Sequence, residues 1–499
     1  MTFLTKALQS RARLPMVLHG WGFMRRSITM PMACMLLVTP VAAPAQTVEA
    51  LQRQIDELRA ELQALKAARS QGAASTSAPV GSPTPGAATA GSTAQSADSN
   101  RTAPSAPVVL ADAKHNKAWY EKLQLRGYTQ MRYNGFLSGD DVAPAGQSRL
   151  RSVHDSSINE NGGFLLRRAR LVLQGNVSDN VAFYFQTDFA TAVNAQSNGE
   201  RRDNFGQLRD AYVDVFLDHD HAFKLRLGQS KVPFGWENLQ SSSNRLTLDR
   251  SDAINSAVPS ERDLGIVAFY TPKHVQGVWD RLAKGGQKLF GNYGAFAVAV
   301  YNGQGVNRPE QNKGLTKVAM GTWPFELDRL GGAFEGQVLE LGGSAMLNDV
   351  RPEIRAGGVS AIDYKDDHYG VHAILYPQPF GFQTEWIWGR TPQYDTALQA
   401  IRSTRASGGY VQAMYNVGDI GLGKIIPYAR WQTYRGGWKA STNAPRLETD
   451  EIELGVEWQI MDAIELTVAY ADMRRREADE RRFGQAKGQL IRTQLQFNY

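Results

Sequence analysis

Between Leu123 and the C-terminal Tyr499 the chain alternates apolar and polar residues in one short segment after another. A period of two is the period of a β-strand, and it restricts the fold more than any other feature of this sequence. LQLRGYTQMRY sets Leu123, Leu125, Gly127, Thr129, Met131 and Tyr133 against Gln124, Arg126, Tyr128, Gln130 and Arg132. The pattern recurs in VAFYFQTDF, AYVDVFL, FKLRLG, AFAVAVYNG, LELGGSAML, YGVHAILY, TEWIWG, YVQAMYNV, IIPYARWQT, EIELGVEWQI, IELTVAYA and LIRTQLQFNY. Such strands cross lipid only as a closed barrel, because an open sheet edge leaves backbone N–H and C=O groups unpaired in hydrocarbon. No apolar run beyond the first 45 residues is long enough for a membrane helix.

Short connections at Ser178-Asp179-Asn180, Asp218 to His221, Gln378 to Gly381 and Met461-Asp462-Ala463 alternate with long polar ones near 135–163, 191–206, 233–262, 346–366, 392–407, 434–449 and 473–487. The sequence therefore predicts a sixteen-stranded antiparallel outer-membrane β-barrel over residues 119–499. An even strand number returns both termini to the periplasm, where short turns belong. The stretch from Thr271 to Gly291 is too long for the short turn its place in the alternation requires. On the last strand Ile491, Thr493, Leu495, Phe497 and Tyr499 share a face, which puts a terminal aromatic toward lipid and resembles the signal read by barrel-assembly machinery.

Ahead of the barrel the expected order is a signal peptide at 1–45, a periplasmic coiled-coil helix at 46–69 and a flexible Ala/Ser/Pro-rich linker at 70–118. The first has Arg25-Arg26, an apolar run through Met35-Leu36-Leu37-Val38, and Ala43-Pro44-Ala45 before Gln46. Cys34, the one cysteine, falls inside it. Val48, Ile55 and Leu62 at a, with Leu51, Leu58 and Leu65 at d, make three heptads that favour self-association. The linker cannot bury enough apolar surface to offset its chain entropy. Most of the net charge of +6 sits in the first segment; from Trp119 onward 43 basic residues face 43 acidic ones. That balance argues against a nucleic-acid partner.

FLLRRARLVLQGNVSDNVAFYFQTDF, LRDAYVDV, LRLGQSKVPFGWENLQSSSNRLTLDRS, PSERDLGI, FAVAVYNGQG and IRTQLQFNY resemble, in this order, the phosphate-selective porin O and P family. The resemblance implies a usually trimeric barrel whose third external loop folds inward as a constriction, with no cofactor. It matches Arg167 and Arg168 to the family's paired arginines and Lys231 to the lysine that leads into the third loop. The ladder of alternating arginines on later strands of phosphate-specific members is replaced here by Lys317-Val318-Ala319-Met320-Gly321-Thr322.

Strand parity independently points Arg126, Arg132, Arg168, Arg170, Lys224 and Arg226 into the lumen, a basic strip where forked guanidinium donors can meet a partly dehydrated anion. The same parity places Asp188, Asp210, Asp214, Glu385, Glu451, Glu453 and Glu457 inside, as an opposed acidic wall. Arg167 has the parity of the lipid face; it snorkels, lies in a subunit interface, or sits at a β-bulge. The expected solutes are small inorganic anions, phosphate or polyphosphate among them, or other small hydrophilic molecules. A weakly selective porin and a barrel tethered to the cell wall by its coiled coil are the alternatives. Asp218-His219-Asp220-His221 reads as a solvated turn rather than a metal site. Arg474-Arg475-Arg476 with Arg481-Arg482 reads as lipopolysaccharide contact or an ordinary charged loop. His372 is the one mid-strand candidate for hydrolytic chemistry, and no enzyme is expected.

Overall fold

The computed structural model describes residues 119–139, 150, 158, 163–191 and 205–499. The expected signal peptide, coiled coil and linker fall on residues 1–118, outside the described residues. Alternation along the sequence becomes sixteen long antiparallel strands, each paired to the next: β1 Leu123–Gly139, β2 Phe164–Ser178, β3 Val181–Thr191, β4 Phe205–Phe216, β5 Phe223–Lys231, β6 Arg262–Tyr270, β7 Phe296–Tyr301 and β8 Thr316–Glu326 form the first half. The second half is β9 Val338–Leu347, β10 His368–Leu375, β11 Phe380–Asp395, β12 Ala400–Tyr415, β13 Lys424–Gly437, β14 Arg446–Met461, β15 Ile464–Ala478 and β16 Ala486–Asn498. The cylinder closes where β1 pairs with β16, from Tyr128 opposite Asn498 to Gly139 opposite Gly488. Tyr499 extends the seam, donating to and accepting from the backbone of Gly127. With no edge left, each strand is paired on both sides.

Burial is inverted relative to a water-soluble protein. Leu125, Leu171, Leu173, Val298, Leu454 and Phe497 are exposed, while Gln130, Arg132, Gln174, Glu385 and Gln496, on strand faces of opposite parity, are buried. An apolar outside around a polar inside is the distribution that lipid outside and water inside select. The start of β1 at Leu123, the C-terminal Tyr499 and the short turns lie at one end of the cylinder, called here the terminal end. The loops at the other end are shorter than expected where β11 with β12 and β13 with β14 run on as paired hairpins through much of 392–407 and 434–449.

Two connections turn inward. The loop 232–261, between β5 and β6, carries the short helices α1 Trp236–Leu239 and α2 Asp252–Ala257. The overlong stretch after β6 contains α3 Lys273–Lys284, whose buried side is Val275, Val278 and Leu282. Apolar side chains from both connections, among them Phe234, Trp236, Ile254, Leu282 and Phe290, join one core inside the barrel.

Candidate functional site

The inward loop 232–261 is fixed to the wall by charge. Gly235 has φ 80°, and a Cβ there would stand 2.7 Å from Glu385 Oε1. This close approach lets Glu385 on β11 accept from the backbone N–H of Trp236 at 2.8 Å and of Glu237 at 3.0 Å. Glu237 in turn receives Arg430 of β13 at 2.6 Å, and Asp252 receives Arg475 of β15 at 2.7 Å. Glu340 on β9, fully buried, accepts from Trp236 Nε1, Thr322 and Tyr376. The loop thus leaves β5 and is held by strands on the far side of the barrel.

Its Asp249 is the meeting point of the basic side chains. Arg132 of β1 approaches at 2.8 Å, Arg492 of β16 at 2.6 Å, Arg167 of β2 at 3.2 Å and Arg168 at 3.9 Å. Burial alone would raise the Asp249 carboxyl, but Arg132, Arg167, Arg492 and Arg168 outweigh it and hold the group well below the ordinary carboxylate range. Glu261, at the end of the loop, is likewise pushed up by burial and pulled further down by Lys231, Arg250, Arg262 and Arg245.

The position of Arg167 follows from a β-bulge. In the β1–β2 ladder Gln130 faces Arg168 and Met131 faces Leu166, so Arg167 is the extra residue. One inserted residue resets the alternation, and Arg167 and Arg168 both turn inward while Leu166 stays exposed outside. Of the three expectations for Arg167, the bulge is the one realised.

The remaining basic residues do not form one continuous strip. Arg170 pairs with Asp188 at 2.8 Å and donates to Tyr128; Arg226 and Lys224 share Asp214, at 2.7 and 3.3 Å. Arg262 pairs with Asp210 at 2.9 Å. The expected opposed acidic wall is therefore partly interleaved: Asp188, Asp210 and Asp214 stand among the arginines, Glu453 of β14 reaches Arg492 at 3.5 Å, and Glu385 lies on β11 across the barrel. Lys231 donates to the carbonyls of Asn238 and Gln240, both at 2.8 Å, and so shapes the loop it introduces. Arg126 lies nearer the terminal end, 3.3 Å from Gln174 and with its guanidinium 5.9 Å from the Tyr184 ring.

Arg492, Arg262, Arg430 and Asp249 were not among the candidates. Arg492 and Arg430 carry a signal, since each sits on the polar face of its strand, whereas Arg262 has the parity of the exposed Leu264 and Ile266 and carries none. Asp249 carries none, because only docking of the loop brings it there. His372 faces inward with Thr322 Oγ1 at 2.8 Å. Asp218 uses its carboxylate to accept from the N–H groups of Ala222 and Phe223, closing a turn.

Residues 148–499 match the family described as phosphate-selective porin O and P. Among solved structures, the DcaP outer-membrane channel of Acinetobacter baumannii is 14% identical, over 76% of this chain and 97% of that one, with a TM-score of 0.47. An OmpF structure of Salmonella typhi in complex with daunomycin is 10% identical over 76% and 97%, TM-score 0.48. An anion-selective porin of Comamonas acidovorans is 10% identical over 76% and 99%, TM-score 0.45. No curated protein matches the sequence.

Proposed function

This chain belongs to the phosphate-selective porin O and P family and is an outer-membrane channel; on that premise we propose that it passes small anions by passive diffusion, with modest selectivity. The observation that carries the reading is the convergence of Arg132, Arg167, Arg168 and Arg492 from three neighbouring strands on the tip of the constricting loop. Guanidinium groups offer a passing oxyanion several charge-assisted donors in exchange for its lost water. Their attachment to Asp249 keeps the site shallow, and conduction needs sites that release what they bind. Arg126 extends the basic surface toward the terminal end, which faces the periplasm in this reading. Arg170, Lys224, Arg226 and Lys231 contribute field while held by Asp188, Asp214 and loop carbonyls.

A general, weakly selective porin is the second reading, favoured by the ion pairs Arg170–Asp188, Arg226–Asp214 and Arg262–Asp210 along the same wall. Phosphate is one candidate among small anions, not a singled-out ligand. The working form is taken to be a homotrimer in contact with lipid and lipopolysaccharide. Planar-bilayer recording separates the readings. Under a potassium chloride gradient the proposal expects a reversal potential of anion sign, and added phosphate should reduce chloride current. A cation-signed potential would overturn the anion reading, and a value near zero would favour the general porin.

A further inference from the structure

Residues 286–292, between α3 and β7, have no role in the constriction described above, yet they lie inside the barrel. Helix α3 ends in a Schellman arrangement: Gly286 N–H donates to Ala283 and Gln287 N–H to Leu282, both at 3.0 Å, with Gly286 at φ 75°. That turn directs the next residues inward rather than back to the sheet. Gln287 Nε2 then donates to the Pro377 carbonyl, in the turn between β10 and β11, at 3.1 Å. Lys288 reaches Glu457 of β14 at 2.6 Å and Glu465 of β15 at 2.9 Å. Four residues later, Asn292 accepts Lys224 of β5 at 2.9 Å and Arg226 at 3.3 Å. Strands β5 and β14 are nine steps apart in a ring of sixteen, so the two attachments are nearly opposite. Five extended residues span at most about 17 Å, enough with side chains to reach across.

The middle of the segment is held as firmly as its ends. Phe290, 1% exposed, packs between Trp236 at 5.8 Å and Trp279 at 5.1 Å between ring centroids. Trp279 Nε1 bonds the same Glu340 that holds Trp236, and Gln240 Nε2 bonds the Lys288 carbonyl at 2.9 Å. On one side of the segment a cavity is lined by Gln287, Lys288, Gln383 and Gln412 together with the apolar Leu246, Ile374 and Met414. On the other, a cavity is lined by Asn292, Arg126, Arg170, Lys231 and Arg262.

We propose that residues 286–292 are a partition across the terminal end of the pore, fastened by Lys288 to Glu457 and Glu465, and that this partition sets a second size limit below the constricting loop. It divides the exit into a passage of mixed amide and apolar lining and a basic one. Freed of both the Lys288 attachment and the Phe290 packing, the segment no longer spans the exit and the two passages merge. This goes beyond the anion reading, since it concerns the bore and not the sign of the permeating ion.

The test removes the packing in the middle together with the attachment, released from each partner separately, with Lys288→Met/Phe290→Ala and with Glu457→Gln/Glu465→Gln/Phe290→Ala. Both preparations are checked for the heat-modifiable electrophoretic mobility of a folded barrel. Single-channel conductance is recorded, and liposome swelling is followed with arabinose, glucose, sucrose and raffinose. The expected result is a higher conductance and a cutoff shifted to a larger sugar in both variants. Folded variants with the conductance and cutoff of the parent would overturn the partition. The reversal potential measured in the same bilayers reports the anion reading separately, so failure of one is distinguishable from failure of the other.

Discussion

At the residue scale the site turns on one carboxylate. Asp249 accepts from arginines of β1, β2 and β16, and its negative charge is what permits four guanidinium groups to crowd together. Breaking a buried charge pair from one side costs about 3–5 kcal/mol, because the remaining charge is left uncompensated. Asp249→Asn should therefore lower unfolding stability in detergent by about that amount at neutral pH. The sign of the pH dependence follows from the depressed carboxyl. A group held below its unfolded value contributes fully above the ordinary aspartate range, near 4, and loses its contribution as pH falls through the folded value. Unfolding measured against pH should show a constant gap between parent and variant from about 7 to about 5, shrinking on further acidification. A gap that widens at low pH would contradict this account of Asp249.

At the element scale, β2 shows what a one-residue insertion achieves. Removing Arg167 restores regular pairing while leaving Leu166 outside and Arg168 inside, as the ladder already has them. Deletion of Arg167 should thus give a folded barrel, whereas deletion of Val172, in the regular part of the strand, should reverse every later side chain and prevent assembly. Heat-modifiable mobility checks both outcomes. The same strand marks the limit of what was legible in the sequence. Alternation alone placed Arg168 and Arg170 inside, because parity is local. The bulge was one of three choices for Arg167, because it depends on pairing with Gln130 and Met131. The hairpins through 392–407 and 434–449 were read as loops: their strands extend into regions where sequence alternation between lipid and lumen no longer applies. For α3 the sequence showed only excess length; its direction is fixed by Gly286 and by partners far away in the chain.

At the scale of the whole molecule, the barrel is a polar-lined cylinder narrowed from both ends, by 232–261 and by 286–292. Barrel and strand count were readable, since a closed sheet and an inverted surface follow from period-two alternation. The ion pairs that decide net field were not, because Asp188, Asp210 and Asp214 neutralise arginines one or two strands away on the same wall rather than across the pore. Selectivity in such a channel is a small difference between interspersed charges, and a single residue at the constriction can alter it. A partly solvated charge is worth ~0.2–1 kcal/mol, roughly a 1.4- to 5-fold change in a permeability ratio.

The most direct test is the reversal potential of the parent and of Arg168→Ala under the same potassium chloride gradient, with the conductance of both recorded in chloride and in phosphate. The account predicts an anion-signed potential for the parent, a displacement toward the cation side in the variant, and weaker phosphate reduction of its current. A cation-signed parent, or a folded variant indistinguishable from it, would contradict the claim that the arginines gathered at Asp249 set the selectivity of the pore.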